Sequence, residues 1–198
     1  MLEVNAPAKP EAAVVAALGR RSIVLVGMMG AGKSSVGRRL ATRLGLTFVD
    51  ADTEIEAAAG MSIAEIFAAH GEAYFRSGEA RVIARLLEGG PQVMAAGGGA
   101  IMNPDTRALV GAKGVSVWLD ADYEVLLRRV KRRTDRPMLK TADPAETLRR
   151  LLDERKPVYA QADVTLRSRD APHETIVNEA IAALAGHFGI GSQAAVRG

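Results

Sequence analysis

Residues Ser22 to Ser34 read SIVLVGMMGAGKS: an apolar, β-branched run followed at once by the spacing Gly-x-x-x-x-Gly-Lys-Ser. A strand that feeds a glycine-rich turn ahead of a helical pattern is the context in which this spacing holds a phosphate. Gly27, Gly30 and Gly32 permit the tight turns that aim successive backbone N–H groups at one anion. The helix that opens at Lys33 adds the positive end of its dipole. Lys33 is placed to neutralise β- and γ-phosphates, and the Ser34 hydroxyl to ligate Mg²⁺. The stretch therefore points to a bound nucleoside triphosphate, while leaving kinase, ATPase and GTPase switch open.

Outward from this turn, apolar runs alternate with helical patterns. The alternation predicts an α/β fold, a parallel sheet covered by helices on both faces. Strands are expected at 22–26, 47–50 (TFVD), 92–96 (QVMAA), 115–119 (VSVWL) and 163–166 (DVTL). Helices are expected from Lys33 to about Leu44, from a capping box at Ser62 and Glu65, and from Glu72 to about Leu87. Asp120 is the expected cap of a helix reaching about Arg132, Asp143 and Pro144 open one ending near Pro157, and a last helix fills 174–187. Two places interrupt the alternation: the helical insertion between the second and third strands, and the polar, basic stretch TDRPMLKTADP at 134–144, expected as an exposed loop able to move. Residues 1–20 read as a flexible extension or short helix.

Composition removes several classes of function. The 198 residues contain no cysteine, which excludes disulfides and thiolate chemistry. No run approaches the roughly 18 apolar residues of a spanning helix. The net charge is +3, and the basic residues cluster at 128–133 and at Arg149 and Arg150 without interleaved aromatics, which argues against a base-stacking surface. His70, His173 and His187 lack metal-ligand spacing and are read as structural.

FVDAD, residues 48–52, ends the second strand with two carboxylates at the edge where open α/β sheets bind ligands. Period-two alternation would put Asp50 and Asp52 on one side. One carboxylate near Mg²⁺ and one near an acceptor hydroxyl divides the work of phosphoryl transfer, whereas the plainer reading makes them helix caps. Arg76 and Glu79, three apart on one helix, allow the carboxylate to hold the guanidinium for an anionic substrate. Gly97, Gly98 and Gly99 follow the third strand, where backbone N–H groups can approach a ligand without a Cβ in the way.

Taken together, GMMGAGKS, FVDAD, FRSGE, AAGGGA, RPML and ERKPVY, in this order across residues 21–187, resemble the shikimate kinase family. The resemblance implies a nucleoside monophosphate kinase-like, three-layer P-loop fold with a five-stranded parallel sheet in the order 2-3-1-4-5. It implies a single kinase domain over residues 21–188, with a substrate-binding insertion at about 52–88 and a lid at about 131–144; residues 189–198 form a tail. The reaction it implies is transfer of the γ-phosphate of ATP to the 3-hydroxyl of shikimate with Mg²⁺, by a cytoplasmic monomer that engages neither nucleic acid nor membrane. By matching position, Lys33, Asp52 and Arg136 are catalytic. Gly30, Ala31, Gly32, Lys33, Ser34, Ser35, Arg129 and Arg136 hold the nucleotide, and Ser34 with Asp50 holds the metal. Asp52, Arg76, Gly97, Gly98, Gly99 and Arg155 bind shikimate. Met138 stands in RPML where the family more often has leucine, a change of similar volume. The second reading is a related kinase for a sugar acid.

Overall fold

The computed structural model describes residues 9–132 and 141–190. The sheet forms because five short apolar runs bury their backbones together: β1 (Ser22–Val26), β2 (Thr47–Asp50), β3 (Gln92–Ala95), β4 (Gly114–Ala121) and β5 (Val164–Ser168). Every pairing is parallel and the order is β2-β3-β1-β4-β5. Central β1 is buried along its whole length, whereas edge strand β5 alternates buried and exposed residues. The chain leaves β1 toward one side of the sheet and later returns to its other side at β4. That reversal opens a crevice at the carboxyl ends of the strands, directly above the Gly27–Ser34 turn.

Helix α1 (Pro10–Leu18) packs with α2 (Lys33–Leu44) and α8 (His173–His187) on one face. Gly37 lets α2 lie close to the sheet, since a Cβ there would sit 2.6 Å from the Phe48 ring and 2.9 Å from Leu25 Cδ1. Of the two readings for residues 1–20, the short helix is the one found over residues 10–18, and it is docked: Val14 and Leu18 are sealed in the main core and Glu11 pairs with Arg43 at 2.6 Å. Helices α3 (Ala51–Ala59) and α4 (Ile63–Glu88) form the insertion around a small core of their own, Ile55, Ile66, Phe75 and Val82. The Ser62–Glu65 capping box is present. Gly71, at φ 78°, ψ 176°, is not helical and divides α4 in two, so the helices expected from Ser62 and from Glu72 are both present and meet at this break.

Helix α5 (Pro104–Lys113) leads into β4, α6 (Tyr123–Val130) follows it, and α7 (Pro144–Tyr159) precedes β5. Three expectations need correction here. Asp120 caps no helix; it lies in β4, which stays extended to Ala121 because it pairs with β5 up to Ser168. Helix α6 starts after Asp122 and ends at Val130 rather than near Arg132. Helix α7 also runs through Pro157 to Tyr159 instead of stopping at the proline. Burial of Tyr159 outweighs the one backbone hydrogen bond a late proline removes.

Candidate active site

The glycine-rich turn adopts the conformation its composition predicts. Gly27, Gly30 and Gly32 have φ of 133°, 82° and 97°, where a side chain would be strained, and Gly32 caps α2. The Lys33 ammonium donates to the carbonyls of Gly27 and Met28 at 2.8 and 3.1 Å, curled over the loop it serves. Ser34 Oγ donates to Asp50 Oδ2 at 2.6 Å, and Asp50 Oδ1 accepts from the Asp52 backbone N–H at 3.1 Å. Asp50 is therefore the N-cap of α3, as the plainer reading has it, and at the same time the partner of the P-loop serine. Asp52 shares its side with Asp50 for a different reason than expected: it belongs to the first turn of α3, not to β2, so helix geometry and not strand alternation sets its direction.

These residues border a cleft of about 770 Å³ whose lining includes residues 29–36, Asp50, Asp52, Gly97, Gly98 and Arg129. On the nucleotide side, Arg129 Nη1 donates to Gly30 O at 3.2 Å and to Ser168 Oγ at 3.0 Å, and Ser168 Oγ donates to Ala31 O at 2.7 Å. Ser35 Oγ lies 2.9 Å from His173 Nε2. Sequence reasoning gave no role here to Ser168, Asp170 or His173, yet all three line the cleft. Their position just past the carboxyl end of β5 was the available signal. His70 and His187 do stack on aromatic neighbours, Tyr74 and Phe188.

On the other side the three consecutive glycines act as the hub of a charged cluster. A Cβ on Gly97 would lie 2.4 Å from Glu79 Oε1 and 3.2 Å from Asp52 Oδ1; on Gly98, 3.3 Å from Arg155 Nη1; on Gly99, 2.6 Å from Arg76 Nη2. Each missing methyl group thus leaves room for a charged side chain. Arg76 Nη1 donates to Glu79 Oε2 at 2.7 Å, and Arg76 Nη2 to Glu72 Oε1 at 3.1 Å. Glu79 is 2% exposed, Arg155 is 6% exposed, and Glu79 Oε1 has no hydrogen-bond partner among the described residues. Burial pushes the Glu79 carboxyl above its ordinary range despite Arg76, and Asp52 adds to the rise. For Arg76, burial opposes the charge, but Glu79 and Glu72 outweigh it and hold the guanidinium protonated more firmly than usual. A pair of arginines beside such a turn is suited to gripping a carboxylate in two-pronged fashion. Arg136 lies outside the described residues.

The donor set also fits a divalent cation. The Ser34 hydroxyl and the Asp50 carboxylate are hard oxygen donors side by side at the phosphate turn. Mg²⁺ characteristically takes one or two protein oxygens and completes its shell with phosphate and water, so a cluster of three acidic or histidine ligands, which the described residues lack, is not required.

A profile of the shikimate kinase family matches residues 29–185. The chain belongs to the shikimate kinase family. It is 65% identical over 188 residues to a shikimate kinase of Bradyrhizobium diazoefficiens, covering 95% of this chain and 90% of the relative. A shikimate kinase of Rhodopseudomonas palustris is 64% identical over 174 residues, covering 88% and 86%. Among solved structures, a shikimate kinase from Acinetobacter baumannii in complex with shikimate superposes with a TM-score of 0.82 at 36% identity, over 84% of this chain and 94% of that one. The expected sheet order is the one these shikimate kinases share, and the chain is a phosphotransferase of that family.

Proposed function

We propose that the cleft transfers the γ-phosphate of ATP to the 3-hydroxyl of shikimate, using the residues that converge on it from both sides. The observation that carries this reading is the joining of a phosphate turn to a partly buried Asp52–Glu79–Arg76–Arg155 cluster around Gly97–Gly99, in which Glu79 and Arg155 are sealed from solvent. Shikimate is a small polyhydroxy carboxylate, and such a ligand calls for an arginine clamp at one end and a carboxylate at its hydroxyls. Arg76 and Arg155 grip the substrate carboxylate while Asp52 accepts the hydrogen bond of the 3-hydroxyl and aims its oxygen at the γ-phosphorus. As that O–P bond forms, the bond to the β-phosphate oxygen breaks, the hydroxyl proton passes to the Asp52 carboxylate, and ADP leaves. Lys33 gives up a loop carbonyl for phosphate oxygens and neutralises the charge that moves onto the leaving group. Because the transition state is loose, that proton moves late, and until then Asp52 orients the hydroxyl.

Ser34 and Asp50 would hold Mg²⁺, which supplies charge neutralisation across the β- and γ-phosphates when bound. Arg129, beside Gly30 and Ser168, faces the nucleotide. We assign residues 131–144 as the lid and Arg136 as its phosphate-reaching arginine, a reading supported by the polar sequence there and by Arg132, which lines the cleft. The enzyme acts on two small molecules as a cytoplasmic monomer.

The test is an ADP-release assay with shikimate, quinate and gluconate as rival acceptors. Turnover with shikimate well above the other two is the expected result. Robust turnover with gluconate and none with shikimate would instead favour the sugar-acid kinase reading.

A further inference from the structure

Tyr159 is among the most completely buried side chains of the protein, and its hydroxyl is aimed at the site rather than away from it. It donates to the carbonyl of Gly98, 61 residues away in sequence. The flanking carbonyls of Gly97 and Gly99 take the turn hydrogen bonds of Ala100 and Met102, both at 3.1 Å, and leave Gly98 O to the phenol. A hydroxyl has one proton, so with Gly98 O as acceptor the Met28 sulfur at 3.7 Å is a packing contact. Arg155, one helical turn back on α7, lies close enough for its positive charge to act on the phenol. Gly98 itself is wedged between the halves of the cleft: its Cβ position is 3.3 Å from Arg155 Nη1 and 3.5 Å from both Gly27 O and Met29 N.

We infer that Tyr159 is a positioning residue for the acceptor, its hydroxyl locking the Gly98 turn to the helix that carries Arg155. This rests on the reading of Arg155 as a carboxylate clamp. The aromatic ring belongs to the core, 6.1 Å from Trp118, and would pack as well in phenylalanine. Only the oxygen reaches the site. Without it the Gly98 carbonyl loses its donor, and the turn and the guanidinium are free to move apart. Displacements of about 1 Å in a substrate-positioning group can cost on the order of a hundredfold.

Tyr159→Phe, Arg155→Ala and the double variant are compared with the wild-type enzyme in full kinetics for both substrates. Tyr159→Phe is expected to raise the shikimate KM by roughly tenfold with the ATP KM within about twofold of wild type. In the Arg155→Ala background the same change should add less than about twofold, because two residues acting through one contact are not additive. An unchanged shikimate KM in Tyr159→Phe, an equal rise in both KM values, or full additivity with Arg155→Ala would overturn the inference. If Arg155→Ala leaves the shikimate KM unchanged, the clamp reading fails, and with it the route by which Tyr159 acts. Should Tyr159→Phe not fold, the wild-type protein still answers: with tyrosines ¹³C-labelled at Cζ, the Tyr159 resonance should shift when shikimate is added without nucleotide. A resonance that stays put counts against the role.

Discussion

The two halves of the cleft are built by opposite means. The donor half is a backbone object, made by one contiguous turn in which three glycines at positive φ and a helix start point N–H groups at an anion. The acceptor half is a side-chain object. Asp52, Arg76, Glu79 and Arg155 come from three helices and meet only around a second glycine turn that offers them space rather than unusual torsion angles. A phosphate is a compact charge that any such cradle can hold, so the first half recurs in many chemistries. A polyhydroxy carboxylate needs charges at fixed separations, and no single segment can span them.

This contrast breaks down if changes on the two sides act alike. The largest effect is expected from Asp52→Asn, which should lower kcat by about 10²- to 10⁴-fold with nucleotide binding intact, as measured by steady-state turnover and calorimetry. Lys33→Ala should cost about 10²- to 10³-fold in turnover yet leave shikimate affinity in the absence of nucleotide unchanged. Loss of shikimate binding in that variant would show the halves to be a single cooperative unit.

Gly99→Ala sharpens the comparison, since its methyl group would press on Arg76 and not on the phosphate turn. A rise of about tenfold in the shikimate KM is expected with little change for ATP, the size of a modest misplacement.

The smallest effect is one of stability. Burial raises the Glu79 pKa in the folded protein above its ordinary value of 4.5, so the fold favours the protonated carboxyl. That contribution is fully present below pH 4.5 and is lost as pH rises through the higher folded value. Between pH 4 and 7 the wild-type Tm should therefore fall relative to that of Glu79→Gln, by about 2–4 °C for each kcal/mol involved. A constant difference between the two melting curves would mean that Arg76 fully offsets the burial.

Much of this was legible from local sequence. The strand–turn–helix at Ser22–Ser34 declares itself because strand, glycines, lysine and serine are neighbours in the chain, and hydrophobic periodicity located all five strands to within two residues at either end. Where reading failed, a longer-range contact had overridden a local signal. Asp120 looks like a cap but is held in β4 by its ladder with β5; Pro157 looks like a stop but sits in a helix anchored by the burial of Tyr159. Ser168 and His173 carry no motif, and only the end of β5 brings them to the cleft.

The sequence by itself thus determined the donor site, the parallel architecture and, through six motifs in register, the family. Only the tertiary structure decided that Asp50 serves both the cap of α3 and the P-loop serine, and that the glycines at 97–99 seat four charged side chains. It alone aims a buried tyrosine at their backbone. The reason is physical: a backbone cradle is encoded by torsion preferences within a few residues. The separation of charges in a binding pocket depends instead on how sheet and helices pack, which no short window of sequence contains.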